Sequence, residues 1–143
     1  MLTIITPKKY IPTIKKPLIF LAGPIRGAPA WQDEAIDIFL KKGYEGFLVN
    51  PSRTLAQRHE QHGALGCEQH FTRQRAWEHH YLTLARKEAP QGAIMFYLIG
   101  EQHHRCEKSY AAMTRLELGQ HLTEYQKDPS SRICIGSPAE KEQ

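Results

Sequence analysis

Long hydrophobic runs and a disulfide framework are both missing from this chain of 143 residues. A membrane-spanning helix needs about 20 consecutive apolar residues, and no apolar run here approaches that length. The first residues also lack the order of a signal peptide, in which charge precedes a long apolar run. The three cysteines, Cys67, Cys106 and Cys134, are odd in number and widely spaced, which does not suit paired disulfides. The sequence therefore predicts a cytoplasmic protein in a reducing compartment, with no membrane partner.

A strong charge of either sign is missing as well. The formal net charge is +4, and the basic residues are spread along the chain, which is typical of a solvated surface rather than of a nucleic-acid footprint. We therefore expect no nucleic-acid partner, although this balance suits an anionic small substrate such as a nucleotide. Internal repeats and low-complexity segments are also absent, and 41% of the residues are hydrophobic, as in an ordinary globular domain. We interpret the chain as an amino-terminal arm over 1–17 with room for one edge strand, a single domain over 18–136 and a polar tail over 137–143.

Apolar runs alternate with segments of helical periodicity along this domain. Strands are predicted at 18–22, 45–49, 93–99 and 132–135, and helices at 31–42, 71–87 and 110–122, with a polar loop over 52–69. Alternation of this kind predicts an α/β fold with a parallel sheet of four to five strands and helices on both faces. Ligands of such sheets bind outside the carboxyl ends of the strands. The segments Gly23-Pro24-Ile25-Arg26, Asn50-Pro51-Ser52-Arg53 and Gly100-Glu101 follow three of these ends.

Glu117 is the residue for which this edge of the sheet matters most. Helical spacing places Tyr110, Met113 and Thr114 on its face. A carboxylate on the apolar side of a helix has to be paired, protonated or used, because burying it unpaired costs several kcal/mol, order of magnitude. The functional hypothesis is that Glu117 acts as a nucleophile. The alternative is a helix-surface residue that pairs with His121 four positions later.

Other candidate residues also have two interpretations. Arg26 and Arg53 either hold a phosphate or a sugar hydroxyl or are ordinary surface arginines. Trp31 and Trp77 either stack on a base or pack in the core, and the core is favoured for Trp77. Gln74 and Glu78, one turn apart, either reach the rim of the cleft or belong to a solvated face together with Arg73 and Arg75.

The histidines raise a metal hypothesis. The spacing H-x2-H-x4-C-x2-H joins His59, His62, Cys67 and His70, and a second group joins His103, His104 and Cys106. Zinc uses such ligands, but this spacing matches no common zinc-finger pattern and lacks a CxxC pair. We therefore predict polar loop residues and no metal or other cofactor.

Several of these segments together resemble the nucleoside 2-deoxyribosyltransferase family and related nucleotide N-glycosidases. The matching pieces occur in one order over about 18–122: Phe20-Leu21-Ala22-Gly23-Pro24 with Trp31, Asn50-Pro51-Ser52-Arg53, Gln74 with Trp77-Glu78, Phe96-Tyr97-Leu98, and Thr114-Arg115-Leu116-Glu117-Leu118-Gly119. The resemblance implies a flavodoxin-like or Rossmann-like sheet and a glutamate nucleophile at Glu117. It also implies an oligomer.

This chain departs from the family at two acids. The aspartate that commonly precedes the third strand is replaced by Gln91-Gly92, and a second acid before the nucleophile is replaced by Ala111. Glu101 is the nearest acid to substitute for them. In addition, Ile25-Arg26-Gly27 resembles relatives that act on nucleoside 5′-monophosphates.

The resulting hypothesis is a cofactor-independent enzyme that cleaves or exchanges the N-glycosidic bond of 2′-deoxynucleosides through a covalent deoxyribosyl intermediate on Glu117. The alternatives are a hydrolase of nucleoside 5′-monophosphates and a non-catalytic nucleotide-binding module on the same fold. The expected substrate-binding residues lie at strand ends or on helices near the cleft: Gly23, Pro24, Ile25, Arg26, Trp31, Asn50, Arg53, Glu78, Tyr97, Glu101, Tyr110 and Thr114. The expected partners are a small nucleoside or nucleotide and further copies of the chain.

Overall fold

A single five-stranded parallel sheet organises the part of the chain that the structure describes. The structure is a computed structural model that describes residues 1–52, 67–104 and 109–139, with the side chains of 67–71 excepted. The strands are β1 Thr3–Ile5, β2 Leu18–Ala22, β3 Phe47–Val49, β4 Ala93–Tyr97 and β5 Ile133–Gly136. Their order in the sheet is β1-β3-β2-β4-β5, and every pair is parallel. The α/β, flavodoxin-like or Rossmann-like fold class is confirmed.

Helices cover both faces of this sheet. They are α1 Trp31–Lys41, α2 Cys67–Thr83, and α3 Ala112–Lys127, and a π-helical turn over Leu84–Glu88 continues α2. Side chains of α2 share the core with Phe20 and Phe96. Tyr97 points to the other face, since neighbouring strand residues alternate, and it packs on Trp31 at the start of α1 with ring centroids 5.1 Å apart. Thus α1 lies on one face and α2 on the other.

α2 and α3 lie side by side and run in the same direction. Arg75 in the middle of α2 contacts Glu117 of α3, and Lys87 after α2 contacts Asp128 just after α3. Leu118 of α3 also packs against the core cluster that contains Trp77 and Tyr81 of α2. The seam between these two helices, on the face opposite α1, is therefore where polar side chains of both meet.

Several boundaries differ from the sequence-based expectations. The predicted strand 45–49 begins only at Phe47, the strand 93–99 ends at Tyr97, and the last strand spans Ile133–Gly136 rather than 132–135. The predicted loop 52–69 is too long at its end, because α2 already begins at Cys67. The last helix begins at Ala112 rather than Tyr110 and continues to Lys127. The arm 1–17 includes the expected edge strand: β1 pairs with β3 at one edge of the sheet, and the Trp77 indole N–H donates to Lys9 O at 2.7 Å.

The strand order creates a crevice between β2 and β4. The chain leaves β2 for β3 on one side and then returns across β2 to β4 on the other side. Connections that diverge in this way leave an opening at the carboxyl ends of the two strands, where ligands of α/β proteins bind. Ala22 and Phe96, which pair in the sheet, mark this point.

Candidate active site

Glu117 is buried and paired. Only 7% of the residue is exposed, and Arg75 Nη1 donates to Glu117 Oε1 at 2.6 Å. His121 is not its partner, because neither ring nitrogen of His121 has a hydrogen-bond partner in the described structure. The interpretation of Glu117 as a surface residue that pairs with His121 is therefore wrong.

A second carboxylate shares the same guanidinium. Arg75 Nη1 also donates to Glu78 Oε2 at 2.7 Å, across one turn of α2. The side chains of Arg75, Glu78 and Glu117 are 26%, 13% and 9% exposed. One nitrogen thus bridges two shielded carboxylates across the seam between α2 and α3. We call this group of three residues the carboxylate pair and its arginine.

Gln74 connects the carboxylate pair to the edge of the sheet. Its Nε2 donates to Glu78 Oε1 at 3.3 Å and to Pro51 O at 3.4 Å. Pro51 lies two residues beyond the carboxyl end of β3, and the buried Asn50 before it accepts the Ser52 N–H on its side-chain oxygen at 3.0 Å. Hydrogen bonds therefore link the carboxylate pair to the segment after Asn50 at the carboxyl edge of the sheet, which is the edge where ligands of α/β proteins bind.

Burial and neighbouring charge perturb the ionisation of Glu117. Burial, followed by the negative charge of Glu78, raises the pKa of Glu117 to about 7, although Arg75 acts in the opposite direction. Burial lowers the pKa of Arg75, but its bonds to Glu117 and Glu78 outweigh that effect and raise it. A carboxyl group with a pKa near 7 is half ionised at neutral pH, as groups that do chemistry often are.

Thr114 shares the buried face of Glu117, whereas Met113 does not, and Tyr110 lies before α3. Thr114 is buried one turn before Glu117, whereas Met113 is exposed and lies outside this face. Tyr110 precedes α3, and its hydroxyl donates to Ile99 O at 2.8 Å, just past β4. Burial and the nearby charge of Glu101 raise the pKa of Tyr110. Tyr110 thus ties the start of α3 to the carboxyl end of β4.

A separate packed unit forms at the ends of β2 and β4. The Trp31 indole N–H donates to Pro24 O at 2.9 Å, and the Trp31 ring packs on Tyr97. A Cβ at Gly23 would lie 2.6 Å from both the Trp31 ring and Tyr97 O, so this position requires glycine. Trp31 and Pro24 are buried here, and Trp31 therefore acts in packing at the edge where it was expected to contact substrate.

The loops after β2 and β4 are joined across the crevice. Gly27 O accepts the backbone N–H groups of Gln102 at 2.6 Å and His103 at 3.0 Å. Gly27 has φ +79°, and a Cβ there would lie 2.8 Å from His103 O. Next to this junction Ile25 is half-buried and Arg26 is exposed, with no ion pair from Arg26 to any residue of the described ranges.

Glu101 lies in the second of these loops and is exposed. His104 Nδ1 and Glu101 Oε1 are 2.6 Å apart. Glu101 acts electrostatically on Tyr110 and is not among the groups that perturb Glu117. The acid that accompanies Glu117 is therefore Glu78.

Arg75 is the residue that the sequence interpretation missed. The sequence pattern groups Arg75 with Arg73 on a solvated face, but only Arg73 is exposed. The available signal was its spacing of three residues from Glu78, which places both on one helix face. The partner across the seam, Glu117, was not predictable without the packing of α2 on α3. Trp77 is fully buried, which confirms its predicted place in the core.

The two positions where the family acids are missing differ in location. Gly92 lies at the amino end of β4, away from the carboxylate pair, and a Cβ there would lie 2.5 Å from Leu18 O. Ala111 caps α3 in the left-handed region, with φ +56°. An acid at Gly92 would thus clash with backbone and would not reach Glu117.

Part of the candidate metal and substrate set lies outside the described residues. This applies to Arg53, His59, His62 and Cys106, and to the side chains of Cys67 and His70. Within the described ranges, no three His, Cys, Asp or Glu side chains are arranged to hold a metal ion. The described helices also include none that is long and apolar enough to cross a membrane.

Comparison with known proteins gives no information on the function of this chain. No family model, no curated protein and no solved structure matches this chain. The fold class therefore rests on the observed sheet, and the function rests on the chemistry of the carboxylate pair and its arginine.

Proposed function

We propose that this protein is a nucleoside 2-deoxyribosyltransferase-like enzyme, which cleaves or exchanges the N-glycosidic bond of 2′-deoxynucleosides with Glu117 as nucleophile. The observation that carries the proposal is the buried Glu117 carboxylate, bonded to Arg75 beside a second carboxylate. The sequence resemblance over Thr114-Arg115-Leu116-Glu117-Leu118-Gly119 supports the same residue. No cofactor is required.

The proposed reaction has two half-reactions. In the first, a Glu117 oxygen forms a bond to the anomeric carbon as the carbon–nitrogen bond breaks. The electron pair leaves with the base, which takes up a proton. In the second, a nitrogen of another base, or a water oxygen, attacks the same carbon, the ester bond to Glu117 breaks, and the attacking group loses a proton. A carboxylate suits both steps, because positive charge develops on the sugar in each.

Glu78 takes the place of the acid that is missing at Ala111. It lies across the seam from Glu117 and shares Arg75 Nη1 with it. The negative charge of Glu78 raises the pKa of Glu117, so we assign to Glu117 the attack on the sugar and to Glu78 the tuning of that nucleophile.

Hydrolysis of the N-glycosidic bond of (deoxy)nucleoside 5′-monophosphates is the second candidate function. The observation that favours it is Arg26, which is exposed beside the Gly27 junction and forms no ion pair with a described residue. An arginine next to a backbone turn is suited to a phosphate group. A non-catalytic nucleotide-binding module on the same fold is the third candidate.

We further propose that the protein is cytoplasmic and forms a homo-oligomer. Exposed apolar side chains on both flanks of α3 are available for self-association: Met113, Leu116, Leu122 and Tyr125. Light scattering at micromolar concentration measures the assembly. A monomer there contradicts this part of the proposal, and Leu116→Lys should weaken an assembly that buries Leu116.

Incubation with a panel of deoxynucleosides and their 5′-monophosphates, with and without a free acceptor base, tests the function. Release of base alone indicates hydrolysis, and formation of a new nucleoside indicates transfer. Glu117→Ala should abolish both, since it removes the nucleophile, while Glu88→Gln, an exposed acid after α2, should leave both unchanged. Binding of a substrate without turnover would support the binding module, and turnover by Glu117→Ala would refute the assignment of the nucleophile.

A further inference from the structure

Arg75 is the one described cation that bonds both carboxylates of the candidate site. We propose that Arg75 is a positioning residue for the nucleophile: it holds one oxygen of Glu117, and its balance with Glu78 sets the pH range in which the enzyme works. This inference rests on the proposed function and names the device that controls the same site.

The geometry supports the holding role. The bond from Arg75 Nη1 falls on Glu117 Oε1, which leaves Oε2 as the oxygen to attack the sugar. Glu78 accepts from the same nitrogen at 2.7 Å, and Gln74 in turn donates to Glu78 at 3.3 Å. The guanidinium is therefore fixed from two sides, and a nucleophile held in this way loses little orientational freedom when substrate arrives.

The charges around Glu117 support the second part of the proposal, that Arg75 and Glu78 together set the pH range in which Glu117 ionises. From α2, Arg75 favours the charged carboxylate and Glu78 disfavours it. On its own helix, His121 is one turn away and is neutral near pH 7, because burial, Arg86 and His79 lower the pKa of His121 to about 4. No other charged group of the described residues acts on Glu117. Removing Arg75 and removing Glu78 should therefore shift the titration of Glu117 in opposite directions.

The test compares Arg75→Gln, Arg75→Lys and Glu78→Gln with the control Arg73→Gln. Arg73 is exposed, lies two residues before Arg75 and also carries one positive charge. Two quantities are measured for each variant: the pH profile of kcat, and the titration midpoint of the Glu117 carboxyl carbon by NMR on glutamate-labelled protein. The second readout does not depend on turnover.

We expect Arg75→Gln to move both midpoints upward, and Glu78→Gln to move them downward, each by about one unit or more, since a charge within roughly 4–6 Å has an effect of that size. Below the midpoint, one unit corresponds to about tenfold in rate. Arg75→Lys should keep the midpoint but lower kcat, because a lysine is a point charge that does not reproduce the planar guanidinium. Arg73→Gln should change neither midpoint.

Specific results would overturn the inference. If Arg75→Gln and Glu78→Gln move the midpoints in the same direction, or leave them in place while lowering kcat at every pH, then Arg75 is only a structural ion pair. If Arg75→Gln does not fold, Arg75→Lys and Glu78→Gln still decide the matter through their midpoints. If the parent protein turns over no substrate while the NMR midpoints move as expected, the proposed function fails and the control of Glu117 by Arg75 stands.

Discussion

Replacing Glu117 with glutamine should make this protein more stable at alkaline pH, although the substitution removes the proposed nucleophile. Glutamine has nearly the same shape, and its side-chain oxygen can still accept the Arg75 hydrogen bond. What the substitution removes is a carboxyl group that folding makes harder to ionise, since burial and Glu78 raise the pKa of Glu117 from 4.5 to about 7. The folded state therefore prefers the protonated form.

The sign and size of the effect follow from that difference. A raised pKa in the folded state contributes stability that is fully present below pH 4.5 and is lost as the pH rises through 7. A shift from 4.5 to about 7 corresponds to a loss on the order of 3 kcal/mol, at about 1.4 kcal/mol per unit. The free energy of unfolding of Glu117→Gln, relative to the parent, should thus grow by roughly 2 to 3 kcal/mol between pH 5 and pH 8.

The contribution of His121 to stability depends on pH in the opposite sense. In the parent protein it therefore offsets the loss of stability that Glu117 causes as the pH rises. Burial, with Arg86 and His79, lowers the pKa of His121 from 6.5 to about 4, so its contribution is present above pH 6.5 and is lost as the pH falls through 4. The two buried groups nearly cancel over the shared range. In Glu117→Gln only the contribution of His121 remains, so the free energy of unfolding should rise from pH 4 to 6.5. In His121→Leu only the contribution of Glu117 remains, so the free energy of unfolding should fall as the pH rises.

Urea denaturation of the three proteins at pH 5, 6, 7 and 8 measures these slopes, with Glu88→Gln, an exposed glutamate, as the control for loss of a carboxylate. At pH 8 the difference for Glu117→Gln corresponds to about 10 °C in Tm for a domain of this size. A Glu117→Gln protein that is less stable than the parent at pH 8 would refute the reasoning, because the ion pair with Arg75 would then stabilise the fold by more than burial of the carboxylate costs.

Three further predictions concern the backbone around the site, each measured by thermal or urea denaturation. Gly23→Ala should lower stability by about 1–3 kcal/mol, because its Cβ would meet the Trp31 ring and Tyr97 O; Gly100→Ala, with open space around it, is the control and should change little. Ala111→Gly should raise stability by about 1 kcal/mol, since φ +56° strains an alanine; an unchanged protein would argue against strain there. Gly92→Asp should lower stability and restore no activity, because its side chain would meet Leu18 O at the wrong end of β4; a gain in turnover would contradict this placement.

The fold was predictable because its signals are local. The apolar run over 18–22 matches β2 in both bounds, since a strand buried on both faces reads as a continuous apolar segment. Boundaries were less predictable where polar residues continue a helix. α3 extends to Lys127 although the residues after Leu122 are mostly polar. α2 begins within a segment whose polar composition predicts a loop.

The candidate site was predictable only in part, because its central contact joins residues 42 positions apart. Helical spacing placed Thr114 and Glu117 on one buried face, and the structure keeps them there. It also placed Met113 on that face, but the buried stripe of α3 is narrow and continues through His121. The pairing of Glu117 with Arg75 depends on α2 lying against α3 in parallel, and the sequence carries no local signal for that register.

The partners of Glu117 also bear on why this acid lies in the seam. A buried ion pair seldom stabilises a fold more than apolar residues of similar size would, so an interface between two helices has no structural need for one. Here the seam holds two carboxylates on a single arginine nitrogen, an arrangement that leaves excess negative charge in a shielded place. Stability alone favours apolar residues at these three positions. A requirement for a carboxylate that ionises near neutral pH would favour the arrangement that is present, and the chemistry proposed for Glu117 would impose such a requirement.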